Sequence, residues 1–149
     1  MFQNYKLGFD VGALILSGIL ILPTLIQNVL FEGGGFSQTA TPELDTVAWI
    51  MLGLTVVTLC LASNRRHKKL SRKNFLTLAV ALCCVAYYGF WAALYLLPFS
   101  GTGMVLGLCL LPCAALLLYC LERKNWPAVV PATIYLLTHL ISSLVNVII

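Results

Sequence analysis

Five long apolar runs, separated by short polar segments, limit what this chain can fold into. They cover approximately residues 7–31, 44–62, 75–99, 101–121 and 126–149. A helix rises 1.5 Å per residue, so about 20 apolar residues cross the ~30 Å hydrocarbon core of a bilayer. The runs therefore predict an all-α integral membrane bundle of five transmembrane helices, with residues 1–149 forming a single transmembrane domain.

Composition supports lipid as the solvent. The chain is 60% hydrophobic and only 9% charged, whereas a soluble domain carries about 25% charged residues. A chain of 149 residues cannot bury so much apolar surface in a fold that faces water. The third and fourth runs are separated only by "PFSGTG", where Pro98, Gly101 and Gly103 favour a tight turn between two separate spans.

The basic residues predict the orientation of the bundle. All nine Lys and Arg precede the first span or lie in the loops after the second and fourth spans: Lys6, Arg65, Arg66, Lys68, Lys69, Arg72, Lys73, Arg123 and Lys124. Cytoplasmic loops of membrane proteins carry this excess of positive charge. We therefore predict a cytoplasmic N-terminus and an extracytoplasmic C-terminus. The net charge of +4 follows from topology, and no nucleic-acid partner is predicted.

The fifth span carries a stripe of polar side chains within an apolar sequence. In "YLLTHLISSLVN", Tyr135, His139, Ser142 or Ser143, and Asn146 follow spacings of three and four residues, so they share one helix face. Polar groups that face lipid have no hydrogen-bond partners, so this face is expected to point into the bundle. His139 would then lie slightly beyond the membrane midplane, toward the outer side.

Two other spans have polar or aromatic groups at the same height. The first span ends "PTLIQNVLFE", and the third contains "YYGFWAALY". We predict a bundle that is sealed on the cytoplasmic side and has a polar and aromatic cavity open to the outside. The predicted ligand-binding residues are His139, Asn146, Asn28, Trp91, Tyr88 and Glu32.

The same residues also have structural interpretations. Tyr and Trp near a membrane boundary commonly form the aromatic belt, and Ser and Asn commonly join helices by hydrogen bonds. His139 could equally be a neutral histidine bonded within the bundle. The six cysteines include no Cys-x-x-Cys pair, and packing as small apolar groups explains them best. No metal site and no cofactor are predicted, because neither metal-ligand spacing nor a nucleotide-binding motif occurs.

Three segments carry a family resemblance: "NYKLGFDVGAL", "YYGFWAALY" and "LERKNWPAVVPA". They resemble small multi-span membrane proteins of Gram-positive bacteria, which implies a multi-pass protein of the bacterial inner (plasma) membrane and no particular activity. In size and span count the chain is also similar to the translocator protein family of five-helix sensors. That family's loop rich in Trp and Pro is absent between the first two spans, so no ligand site is inferred from it.

Three classes of function remain compatible with the sequence. The favoured class is a binding or transport-related module that takes a small amphipathic ligand or lipid into the outer cavity. The second is an interaction subunit or immunity-type protein without a ligand, and the spacings Gly8–Gly12 and Gly103–Gly107 allow close helix contacts in a homo-oligomer or with a partner membrane protein. The third is an intramembrane enzyme with His139 as acid or base, disfavoured because no second catalytic group is evident.

Overall fold

The computed structural model describes residues 5–30, 40–64, 75–96 and 102–148. Within these residues the chain forms five helices: α1 (Val11–Leu30), α2 (Pro42–Leu61), α3 (Phe75–Leu96), α4 (Thr102–Glu122) and α5 (Trp126–Ile148). The predicted all-α class is confirmed. The sequence did not indicate the one short ladder, in which β1 (Tyr5–Leu7) pairs antiparallel with β2 (Ala62–Asn64). Most of the predicted loops lie outside the described residues.

Four of the helices, α2 to α5, are long and apolar enough to cross a membrane. Large apolar side chains on their outer faces are exposed, as is usual for side chains that contact lipid; Val85 of α3, for example, is 71% exposed. The apolar stretch of α1, Val11–Gln27, is shorter than these four helices. The chain is therefore a multi-span membrane protein with four evident spans, and the fifth span remains a prediction.

The first two helices begin at residues that differ slightly from the predicted bounds, for local reasons. The first helix begins at Val11 rather than near residue 7, because residues 5–7 form β1 and the Asp10 carboxylate accepts the backbone N–H of Gly12 at 2.9 Å. The second helix begins at Pro42, before the apolar run, since proline and acidic residues suit a first helical turn.

Four helices pack side by side in the order α3, α4, α5 and α2, and α1 contacts three of them. α3 packs against α4, α4 against α5, and α5 against α2, while α1 contacts α2, α3 and α4. Small side chains at the contacts, including the fully buried Ala115 and Ala128, let the helices approach closely. Leu59 and Leu116 fill the core between them. The contacts of α1 with these helices are less extensive than those of α3 with α4, α4 with α5 and α5 with α2, so α1 is the most loosely packed helix.

One glycine from each of the two predicted close-contact pairs lies against another helix of the same chain. A Cβ atom on Gly107 would lie 2.5 Å from the ring of Phe90, so the absence of a side chain allows α3 to approach α4. A Cβ atom on Gly12 would lie 2.7 Å from the Tyr119 hydroxyl. Gly103, by contrast, has open space around it. Gly12 and Gly107 therefore make their close contacts within the bundle, and a homo-oligomer remains a prediction.

A polar cluster joins the helices at the end of the bundle where α1 begins and α4 ends, which we call the basic end. Arg123 Nε lies 3.2 Å from the Asp10 carboxylate, and the Tyr119 hydroxyl donates to the same carboxylate at 3.2 Å. The Asn125 amide donates to the carbonyl of Ala62 at 2.8 Å. The cluster therefore ties α1, the end of α2 and the α4–α5 turn together.

Candidate functional site

A cavity of about 520 Å³ lies between the helices at the end opposite the basic end, which we call the cavity end. Every helix contributes to its wall, for example Gln27 of α1, Asp45 of α2, Trp91 of α3, Cys109 of α4 and His139 of α5. These residues lie in the second half of the odd-numbered helices and the first half of the even-numbered ones. The helices thus alternate in direction, and the cavity occupies the half of the bundle where the sequence predicted it.

Aromatic side chains form one wall of the cavity. On α3, the rings of Tyr87 and Trp91 meet edge to face with centroids 6.3 Å apart, and Trp91 also stacks with Tyr95 at 5.9 Å. Trp91 is only 8% exposed, and its Nε1 is buried without a hydrogen-bond partner in the described part of the chain. Trp49 of α2 adds a further ring. The wall therefore combines apolar surface with one unused hydrogen-bond donor.

The polar stripe of α5 forms a second wall, as its spacing predicted. Tyr135, His139, Ser142, Ser143 and Asn146 all line the cavity. The His139 ring stacks on the Tyr135 ring with centroids 5.4 Å apart and planes within 10° of parallel. This stacking holds the imidazole in a fixed orientation at the cavity wall, where its polar edge can meet a ligand.

Hydrogen bonds connect α5 to the start of α2 at the cavity end. The Ser142 hydroxyl donates to Asp45 Oδ1 at 2.5 Å, and the Thr41 hydroxyl donates to Ser142 Oγ at 3.1 Å. Asn146 Oδ1 accepts the backbone N–H of Ala40 at 2.8 Å. Asp45 Oδ2 is buried and, among the described residues, has no partner. Asp45 thus brings to the cavity wall a carboxylate with one oxygen that is unpaired among the described residues.

A thiol lies beside the histidine in the cavity wall. Cys109 is 2% exposed and lies near Cys113, His139 and Ser143. All six cysteines are free, which agrees with their interpretation as buried packing groups. A thiol near an imidazole is also a pairing that some enzymes use in nucleophilic catalysis, and the sequence analysis did not single out Cys109. In the described ranges, no group of three His, Cys, Asp or Glu could hold a metal ion.

No family model, curated protein or solved structure matches this chain. The function must therefore be argued from the cavity and from the chemistry of the side chains around it.

Three of the six residues predicted to bind a ligand line the cavity: His139, Trp91 and Asn146. Tyr87, rather than Tyr88, lines it from α3; the Tyr88 hydroxyl donates to the carbonyl of Ile19 at 2.7 Å, and the side chain is 38% exposed. The Asn28 side chain and Glu32 lie outside the described part of the structure. Contact of any of these residues with a ligand remains a prediction.

Sequence reasoning missed several residues of the cavity wall, notably Tyr87, Asp45, Trp49 and Cys109. Tyr87 could have been found, because it lies four residues before Trp91 and so shares its face. Asp45 is an acidic residue at the start of the second apolar run, and nothing in the local sequence places it beside the cavity. Its proximity to Ser142, 97 residues away, is a tertiary contact that no local spacing encodes.

Proposed function

We propose that this chain is a membrane-embedded binding or transport-related protein whose cavity takes up a small amphipathic ligand or lipid. The observation that carries the proposal is the cavity of about 520 Å³ to which all five helices contribute. This volume lies within the ~300–1,000 Å³ that is typical of small-molecule sites. An interaction subunit that only contacts partner proteins does not need such a cavity.

The distribution of side chains along the cavity suits an amphipathic molecule. On α2, Asp45 lies one turn from Trp49 and about two turns from Leu52, or ~10 Å along the helix axis. Polar groups are thus concentrated toward the cavity end, and leucines such as Leu20 and Leu116 lie deeper in the bundle. A ligand would bind with its polar head near Asp45 and its apolar body toward these leucines.

We further propose that the cavity end faces the outside of a bacterial inner membrane, with the N-terminus in the cytoplasm. Arg123 and Lys124 follow α4 at the basic end, and the described residues that line the cavity include neither Lys nor Arg. Positive residues remain on the cytoplasmic side during membrane insertion. A cavity with this orientation would receive its ligand from the outer leaflet or from the extracytoplasmic space.

Replacement of His139 by Leu is expected to weaken ligand binding without unfolding the bundle. The imidazole can donate from one nitrogen and accept at the other, and loss of one hydrogen bond costs about 1 kcal/mol, or roughly fivefold in Kd. His139→Asn, which keeps some hydrogen-bonding capacity, should cost less. Binding of the neutral probe 3-phenoxypropan-1-ol, measured by equilibrium dialysis of detergent-purified protein against protein-free micelles, gives the comparison.

The matched control is Thr133→Val on the same helix. Thr133 is exposed, and its hydroxyl bonds the carbonyl of Val129 in its own helix, so this variant should bind the probe as the wild type does. If the His139→Leu variant and the wild type bind the probe with equal affinity, His139 does not contact the ligand. Absence of saturable probe binding by the wild-type protein would contradict the proposed function itself.

A further inference from the structure

Asp45 is the one acidic side chain among the described residues that line the cavity. Its Oδ1 accepts a hydrogen bond from Ser142, which is 2% exposed, whereas its Oδ2 is buried and has no partner among the described residues. Asp45 also lies in the first turn of α2, where the helix dipole favours negative charge. Burial of an unpaired carboxylate oxygen is costly, so a cationic donor beside Asp45 would be strongly favourable.

No cationic side chain in the described part of the chain is available to neutralise Asp45. Arg123 lies at the opposite end of the bundle, where it pairs with Asp10. Lys124 lies beside it in the turn between α4 and α5. Charge attraction is stronger in a low-dielectric cavity than in water, so the carboxylate would favour a cationic ligand over a neutral one of the same shape.

The aromatic residues of the cavity favour the same class of ligand. Trp49 follows Asp45 by four residues on α2 and therefore lies on the same helix face. Tyr87, Trp91 and Tyr135 add rings from α3 and α5. Ring faces attract ammonium groups, and Trp is the strongest of the three aromatic types in this respect. The buried, unpartnered Nε1 of Trp91 can in addition donate to an oxygen atom of the ligand.

We infer that the ligand of this cavity is an amphipathic amine, whose ammonium group pairs with the Asp45 carboxylate and whose apolar body packs against the aromatic wall and the deeper leucines. The inference rests on the proposed binding function and specifies its ligand class. Ser142 fixes the carboxylate through its hydrogen bond to Oδ1.

Two probes that differ only in their terminal group, which is a cation in one and a neutral hydroxyl in the other, test the inference. The cationic probe is 3-phenoxypropylamine, and the neutral probe is 3-phenoxypropan-1-ol; both carry an ether oxygen that can accept from Trp91. Equilibrium dialysis of the full-length protein in mild detergent should give at least about tenfold tighter binding of the amine. In the Asp45→Asn variant the amine should lose about tenfold in affinity, while the alcohol binds as before.

Two controls separate the charge of Asp45 from its structural role. Ser142→Ala removes the hydrogen bond to Oδ1 but keeps the carboxylate, so it should retain most of the preference for the amine. Glu43→Gln removes an exposed acidic residue from the same helical turn and should change neither affinity. Thermal unfolding of each variant in the same detergent monitors the fold.

The outcomes distinguish the inference from the proposed function on which it rests. If the wild-type protein binds the amine and the alcohol with equal affinity, the cavity is a binding site without selectivity for cations, and the inference is wrong. The same conclusion follows if Asp45→Asn retains the preference for the amine. If neither probe binds saturably to the wild-type protein, the proposed function is contradicted and the ligand class with it.

Discussion

Thr24→Trp is expected to abolish saturable binding of 3-phenoxypropan-1-ol. Thr24 is partly buried on α1 and lines the cavity, so an indole at this position would occupy the space that a ligand needs. α1 packs less extensively than the other helices, so it can adjust to the larger side chain. The measurement is equilibrium dialysis of the purified variant, with thermal unfolding to confirm that the bundle is intact.

The neighbouring residue provides a matched control for this variant. Leu25 is 51% exposed on the outer face of α1, so Leu25→Trp adds the same indole to the lipid-facing surface and should leave binding unchanged. Val105→Trp, which fills the cavity from α4, should reproduce the loss of binding. Full affinity in both cavity variants would show that the probe binds somewhere other than this cavity.

A reporter enzyme that is active only outside the cytoplasm should be active when fused after Ile149 and inactive when inserted at Ser71. The expected contrast is nearly all-or-none, because the proposed orientation puts the two fusion sites on opposite sides of the membrane. A second reporter that is active only in the cytoplasm should give the opposite pattern at the same two sites, which controls for expression.

The basic segment between the second and third apolar runs, residues 65–73, provides an independent test of the same orientation. Replacement of Arg65, Arg66, Lys68 and Lys69 by Gln removes four of the nine positive charges and should give mixed orientation or poor insertion. Inverted reporter activities in the wild-type protein would mean that the cavity end faces the cytoplasm. The ligand would then have to come from inside the cell.

The existence and approximate bounds of the helices could be predicted, because a helix needs about 20 apolar residues to cross the bilayer. The apolar run over residues 75–99 corresponds to Phe75–Leu96, and the run over residues 126–149 corresponds to Trp126–Ile148. The stripe on α5 could also be predicted, since polar side chains at spacings of three and four must turn away from lipid. His139 and Asn146 accordingly line the cavity.

The remaining details depend on contacts between helices, which local sequence does not encode. Tyr87 and Tyr88 are adjacent, and only the packing of α3 against α1 and α4 decides which of them lines the cavity. The β1–β2 ladder joins residues nearly 60 positions apart, and neither strand is long enough to show an alternating pattern. The role proposed for Asp45 depends on its contact with Ser142 and on its place in the cavity wall, which its neighbours in sequence do not encode.

Native mass spectrometry of the wild-type protein, purified in mild detergent, tests most directly whether the cavity holds a ligand. We expect the 16.3 kDa chain to retain a non-covalent small molecule that collisional activation releases, and the Thr24→Trp variant to lack it. A spectrum of the bare chain for both proteins would contradict binding in the cavity. A co-purified polypeptide without any small molecule would also contradict it and would favour an interaction subunit instead.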